Sequence, residues 1–218
     1  MKNKLCGMLL GLGISIIGAQ VAHAQRLVID NFKTGEHQTS LRNEEEVAYQ
    51  SGAEILGGVR QTFFKVGPNN EFNQPTRLHI GARGSMIIDS GLKSFWGLFL
   101  GYGYDANGGL NPLNQNLKGY DRFRINFDSS DLEMGYLIQV YDGNGNRSTL
   151  SSTVSTVGRL TPFHADFPFA DFPAGFPNAI DWNDIDFILV LFQSGSAIAG
   201  NDFAVRSIVA LPSKQSDE

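Results

Sequence analysis

Apolar and polar residues alternate singly along much of the chain. Phe123, Ile125 and Phe127 alternate with Arg122, Arg124 and Asn126, and Tyr136, Ile138 and Val140 repeat the pattern after a break. Successive side chains of a strand point to opposite sheet faces, whereas one face of a helix recurs every three or four residues. The period of two therefore predicts strands with one core face and one wet face. Between the two stretches Asp128-Ser129-Ser130-Asp131 supplies turn residues, and Asp142-Gly143-Asn144-Gly145-Asn146 permits the positive φ of a hairpin reversal. Together they predict a β-meander running to about residue 157.

The same reading places strands at Leu27 to Phe32, Val59 to Val66, Thr76 to Ile80, Ser85 to Asp89, Phe95 to Gly103, Leu160 to Phe167, Ile185 to Phe192 and Phe203 to Leu211. Ile185 to Phe192 is apolar at nearly every position, which predicts a central strand covered on both faces. Helical signals are confined to Asn43 to Gln50, with its three glutamates, and Asp181 to Asp186. About ten short strands without a long amphipathic helix predict an all-β fold, a two-sheet antiparallel β-sandwich wound as a jelly roll.

The first residues change the picture of where this sandwich works. Lys2 and Lys4 precede an apolar run from Leu5 to Ile17, and Ala22-His23-Ala24 follows. This is the form of a secretory signal peptide, with cleavage expected before Gln25. The expected organisation is a signal peptide at 1–24, a β-sandwich domain at 25–212 and a polar tail at 213–218, exported to the periplasm or the extracellular space. A lipoprotein reading fails because Cys6 precedes the apolar run. An outer-membrane barrel needs alternating lipid-facing segments, which Ile185 to Phe192 does not provide.

Removing Lys2 and Lys4 with the leader takes the formal net charge from −5 to −7, which repels phosphate backbones and argues against a nucleic-acid partner. Cys6, the chain's one cysteine, leaves as well. Neither a disulfide nor a thiolate metal site then holds the mature fold.

Several short stretches in order resemble the galactose-binding-like jelly rolls, which include carbohydrate-binding modules and the related domain of complex I assembly factors. They are Ile29-Asp30-Asn31-Phe32, Ile55-Leu56-Gly57-Gly58-Val59-Arg60, Leu117-Lys118-Gly119-Tyr120-Asp121 and Phe203-Ala204-Val205-Arg206-Ser207-Ile208. The resemblance implies first and last strands lying side by side, with sugars or other polar ligands bound on a concave sheet face or at loop tips. It also implies a structural calcium. Arg206 stands where related domains often carry an acidic residue, a departure that tells against that ion.

Catalytic signatures are weak. Ser85, Ser194 and Ser196 lie outside any Gly-x-Ser-x-Gly, and His37, His79 and His164 are too isolated for a zinc helix. Asp184 with Asp186, or Asp166 with Asp171, are the carboxylate pairs that glycoside hydrolysis would use. Asp142 to Asn146 alternates oxygen-bearing residues like a calcium loop, but Arg147 and Thr153 stand where an EF-hand needs Gly and Glu. Asp105 and Asn107, in a second oxygen-rich turn, are the candidate metal ligands.

Two aromatic stretches are the candidate ligand sites. In Phe95 to Tyr104, glycines at 97, 101 and 103 strip one face, where an aromatic ring or a ligand approaches the backbone. Phe95, Leu98 and Leu100 are assigned to the core, and Trp96, Tyr102 and Tyr104 to a ligand. In Ala165 to Pro177, Ala-Asp-Phe-Pro occurs twice. Its rings either plug the open end of the core, or Phe169, Phe172, Phe176 and Trp182 form a platform for a sugar ring or a partner protein.

The expectation is an exported, non-catalytic binding module for carbohydrate. A structural or assembly protein of the envelope or matrix, binding a protein partner, is the alternative, and a glycoside-active enzyme the third. Exposed aromatics beside Asn or Asp in a groove would mark a sugar site, and one broad apolar patch a protein partner.

Overall fold

The computed structural model describes residues 25–68, 70–154, 159–194 and 200–213. The expected leader, and the tail beyond residue 213, lie outside the described residues. The strands are β1 (Leu27–Asp30), β2 (His37–Leu41), β3 (Glu45–Ser51), β4 (Val59–Val66), β5 (Thr76–Ile80), β6 (Met86–Asp89), β7 (Trp96–Tyr102), β8 (Tyr120–Ser130), β9 (Met134–Asp142), β10 (Arg147–Val154), β11 (Phe163–Pro168), β12 (Ile185–Ser194) and β13 (Phe203–Pro212). Among the described residues there is no α-helix, only three short 3-10 turns.

Two antiparallel sheets form a β-sandwich. The seven-stranded sheet runs β11-β8-β13-β6-β5-β2, with β1 also on β13, and the six-stranded sheet runs β10-β9-β12-β7-β4-β3. The chain winds from β3 and β4 in one sheet to β5 and β6 in the other, then back for β7 and across again for β8. That is jelly-roll winding. First and last strands lie side by side, with Leu27 opposite Ala210, as the resemblance implies.

Alternation builds the core. Phe123, Ile125 and Phe127 of β8 are buried in one layer, and Tyr136, Ile138 and Val140 of β9 in the other. Two expectations need correction. Asn43 to Gln50 is not helical: β3 runs through most of it and pairs with β4 along its length, a tertiary pairing that overrides the helix-forming glutamates. Strand β12 is indeed central, between β9 and β7, yet it is covered on one face alone. Ile188, Val190 and Phe192 are fully buried, whereas Leu189 and Leu191 lie half-buried on the outer face.

A polar knot lies inside the sandwich. Arg60 of β4 and Asp30 of β1 form an ion pair at 2.8 Å with both side chains essentially sealed from solvent. The guanidinium also donates to Gln50 Oε1 and the Gly35 carbonyl, while the carboxylate accepts from the Phe32 N–H and the Tyr102 hydroxyl. Two stretches of the family resemblance, around Asp30 and Arg60, are thus tied to each other through space. Breaking such a pair leaves an unpaired buried charge.

Candidate binding face

Strand register places side chains of the six-stranded sheet's outer face in rows. One row reads Tyr49, Gln61, Gly101, Leu189, Gln139 and Thr149 across β3, β4, β7, β12, β9 and β10. The next reads Val47, Phe63, Phe99, Leu191, Leu137 and Ser151. No residue in either row is charged. Val47 and Phe99 are 51% and 38% exposed, so this is apolar surface facing water.

Aromatic rings gather along the first row, from Tyr49 on β3 to Tyr141 on β9. Tyr104 lies 6.3 Å from Tyr49 and 5.8 Å from Phe187 between ring centres, and Tyr141 lies 6.4 Å from Phe187. Glycine makes this possible. A Cβ on Gly101 would meet the Tyr104 ring at 2.9 Å, and one on Gly103 the Phe187 ring at 2.4 Å. Burial pushes the Tyr104 hydroxyl above its ordinary pKa, and the neighbouring Tyr49 and Tyr141 push it further, so it stays neutral.

Amide side chains interleave with the rings. Gln61 donates to the Tyr49 hydroxyl at 2.8 Å, Tyr141 donates to Gln139 at 2.9 Å, and Gln139 donates to Thr149 at 2.7 Å. Each glutamine carries two donors and an acceptor oxygen with two lone pairs. Capacity remains for the hydroxyls of a ligand.

The sequence candidates divide. Tyr104 belongs to this face. Trp96 and Tyr102 do not: both point into the core, Trp96 stacking on Phe203 at 5.4 Å and Tyr102 bonding to Asp30. Phe95, assigned to the core, is instead half-buried on the surface side. In the Phe-Pro loop, Phe169 stacks on Trp182 at 4.0 Å, and Phe169, Phe172 and Trp182 all pack on the buried ring of Phe123. Those three rings plug the core and form no open platform. Phe176, 71% exposed, stands apart from them.

The metal candidates are spent on a turn. Asp105 Oδ1 accepts the backbone N–H groups of Asn107 and Gly109. Among the described residues no group of three or more His, Cys, Asp or Glu could hold a metal ion. The oxygens gathered inside the sandwich, from Asp30, Gln50 and Gly35, surround the Arg60 guanidinium. The loop after β9 is a hairpin whose Asp142 accepts from the Asn144, Asn146 and Asp181 N–H groups.

The carboxylate pairs also divide. Asp166 is held by Arg124 through two bonds of 2.6 and 2.8 Å, which lower its pKa and make it a poor proton donor. Asp186 is raised by burial and then by the charge of Asp184. It borders Gly103 at the tyrosine end of the face through its carbonyl.

Tyr49, Tyr141, Gln61, Gln139 and Phe187 were not singled out from sequence. Their signal was present: once Tyr136, Ile138 and Val140 are core, Gln139 and Tyr141 must face outward.

No family model matches the chain, and no curated protein matches it. Among solved structures, the family 11 carbohydrate-binding module of the cellulosomal cellulase Lic26A-Cel5E of Clostridium thermocellum is similar over 89% of this chain and 98% of its own, with 14% identity and a TM-score of 0.44. A family 61 module solved with β-1,4-galactotriose is similar over 87% and 100%, with 13% identity and a TM-score of 0.39. An exo-β-agarase is similar over 88% of this chain and 26% of its own, with 13% identity and a TM-score of 0.44. At such values the likeness decides nothing about ligands. The strand pairing itself defines the class, an all-β, two-sheet antiparallel sandwich.

Proposed function

We propose that this protein is an exported, non-catalytic binding module for a neutral carbohydrate, held on the outer face of the six-stranded sheet. One observation carries the reading. Half-exposed rings and glutamine amides share rows that contain no charge, which suits pyranose rings with an apolar face and a rim of hydroxyls. The absence of cations in these two rows disfavours uronic and sulfated sugars there.

A glycan array probed with the purified protein tests this, followed by titration of Tyr104→Ala against the best ligand. Neutral glycans bind and the variant loses at least about tenfold in affinity, as expected for an aromatic anchor. Binding to a protein partner alone, with no glycan retained, would move the function to assembly in the envelope or matrix. Turnover of a bound glycan, sensitive to Asp186→Asn, would make it an enzyme.

A further inference from the structure

Four glycines open onto the proposed carbohydrate face, and three of them are covered. Tyr104 lies over Gly101, Phe187 over Gly103, and the Gln193 side chain over Gly135, with its Nε2 2.9 Å from where a Cβ would stand. Gly97 differs. No heavy atom comes within 4 Å of its Cβ position, although Lys65 and Gln193 flank it in register on β4 and β12.

The space above Gly97 belongs to an open cavity of about 320 Å³ whose lining includes Phe63, Lys65, Phe99, Leu191, Gln193 and Ser194. That is the lower end of the size range of small-ligand sites. A second cavity, over Gly135, Leu137, Ser151 and Ser152, shares Leu191 and Gln193 with the first. Gln193 therefore stands between two hollows of one groove crossing the strands. From β4 to β10 that groove spans four inter-strand spacings, about 19 Å, enough for several sugar units. Lys65, the cation at its margin, is paired with Glu45 at 2.8 Å.

We infer that the groove selects an N-acetylated sugar, an inference that rests on the carbohydrate reading above. An acetamido group has two parts, and the hollow supplies a match for each. The methyl fills the space above Gly97 against Phe63, Phe99 and Leu191, where a bare hydroxyl would lose water without gaining a partner. The Gln193 amide, which rests over Gly135 on the other side of β12, turns toward the hollow to donate an N–H to the acetyl carbonyl and accept from the acetamido N–H, the paired bonds that two amides make. Neither part requires charge, and the one cation lining the hollow among the described residues, Lys65, is already paired with Glu45.

Chitotetraose and cellotetraose share their β-1,4 backbone and differ at the 2-position, acetamido against hydroxyl. Calorimetric titration of the purified protein with each should show chitotetraose about tenfold tighter, the low end of what one methyl is worth against apolar side chains. Gly97→Leu fills the hollow with a residue suited to a strand and should bring chitotetraose down to the affinity of cellotetraose. Gln193→Leu keeps the bulk and removes the amide, and should erase the preference without touching the Gly97 hollow, so the test survives if one variant fails to fold. Equal affinities in the unmodified protein, or a preference that persists in both variants, would overturn the inference while leaving carbohydrate binding intact. Binding of neither oligosaccharide nor any other neutral glycan would instead remove the reading on which it rests.

Discussion

The two outer faces of the sandwich obey the same alternation and end in opposite chemistry. On the seven-stranded sheet the outward positions pair with each other: Arg77 with Asp89, Arg122 with Asp121, Arg124 with Asp166, and Arg206 with Asp128. Such a surface is complete in itself, since each charge has its partner and water does the rest. On the six-stranded sheet two adjacent outward rows hold a tyrosine, phenylalanines, leucines and glutamines with no charge among them, and the exposed Lys65–Glu45 pair is confined to the row beside them. Contiguous exposed apolar surface is uncommon on a protein that binds nothing. The contrast singles out the six-stranded layer as the one whose outer surface lacks internal partners, which is why the binding reading is placed there.

The largest expected effect lies between the two faces, at the ion pair inside the sandwich. Arg60→Ala should destabilise the fold by about 3–5 kcal/mol, because the Asp30 carboxylate is left buried without its cation. Chemical denaturation reads this directly. A loss below about 1 kcal/mol would place the internal pair on a level with surface pairs and undo the distinction between a sealed ion pair and an exposed one.

Next in size comes the aromatic face. Tyr141→Ala should weaken glycan binding by at least about tenfold, on the order of 1.4 kcal/mol, with a small change in stability because the ring is only half-buried. Arg124→Ala, on the opposite face, should leave binding unchanged. If Arg124→Ala weakened the glycan more than Tyr141→Ala, the assignment of the binding face would be reversed. Arg124→Ala should itself cost about 0.2–1 kcal/mol of stability at low salt, and less at 1 M salt, where exposed charges are screened.

How much of this was legible in the sequence depends on distance along the chain. Strands β4 and β5 were readable to the residue, because alternation and bounding turns are local signals. The parity of β7 was readable too: Trp96, Leu98, Leu100 and Tyr102 share one face, so assigning Leu98 and Leu100 to the core commits Trp96 and Tyr102 to it as well. Strand β3 was hidden by its glutamates, whose helix preference yields only to pairing with β4. The meeting of Tyr49, Tyr104, Tyr141 and Phe187 was not readable, since it arises from register among strands widely separated in sequence. The Asp30–Arg60 pair was hidden for the same reason, though both residues lie in stretches that carry the family resemblance.

The smallest effect separates the faces by pH. Asp166 is held below the ordinary carboxylate pKa by its hydrogen bonds to Arg124, with burial opposing. The anion is therefore favoured in the fold relative to the unfolded chain, where Asp titrates near about 3.9. Its contribution is fully present above that value and is lost as pH falls through the lower value of the folded state. Asp166→Asn should therefore be less stable than the unmodified protein at neutral pH, and the difference should close as the solution is taken below about pH 4. The aromatic rows contain no carboxylate, and the Tyr104 hydroxyl is raised by burial, so glycan affinity should stay flat from about pH 5 to 9. A titration in which affinity fell with acid while the Asp166→Asn stability gap stayed constant would assign the titrating groups to the wrong sheet.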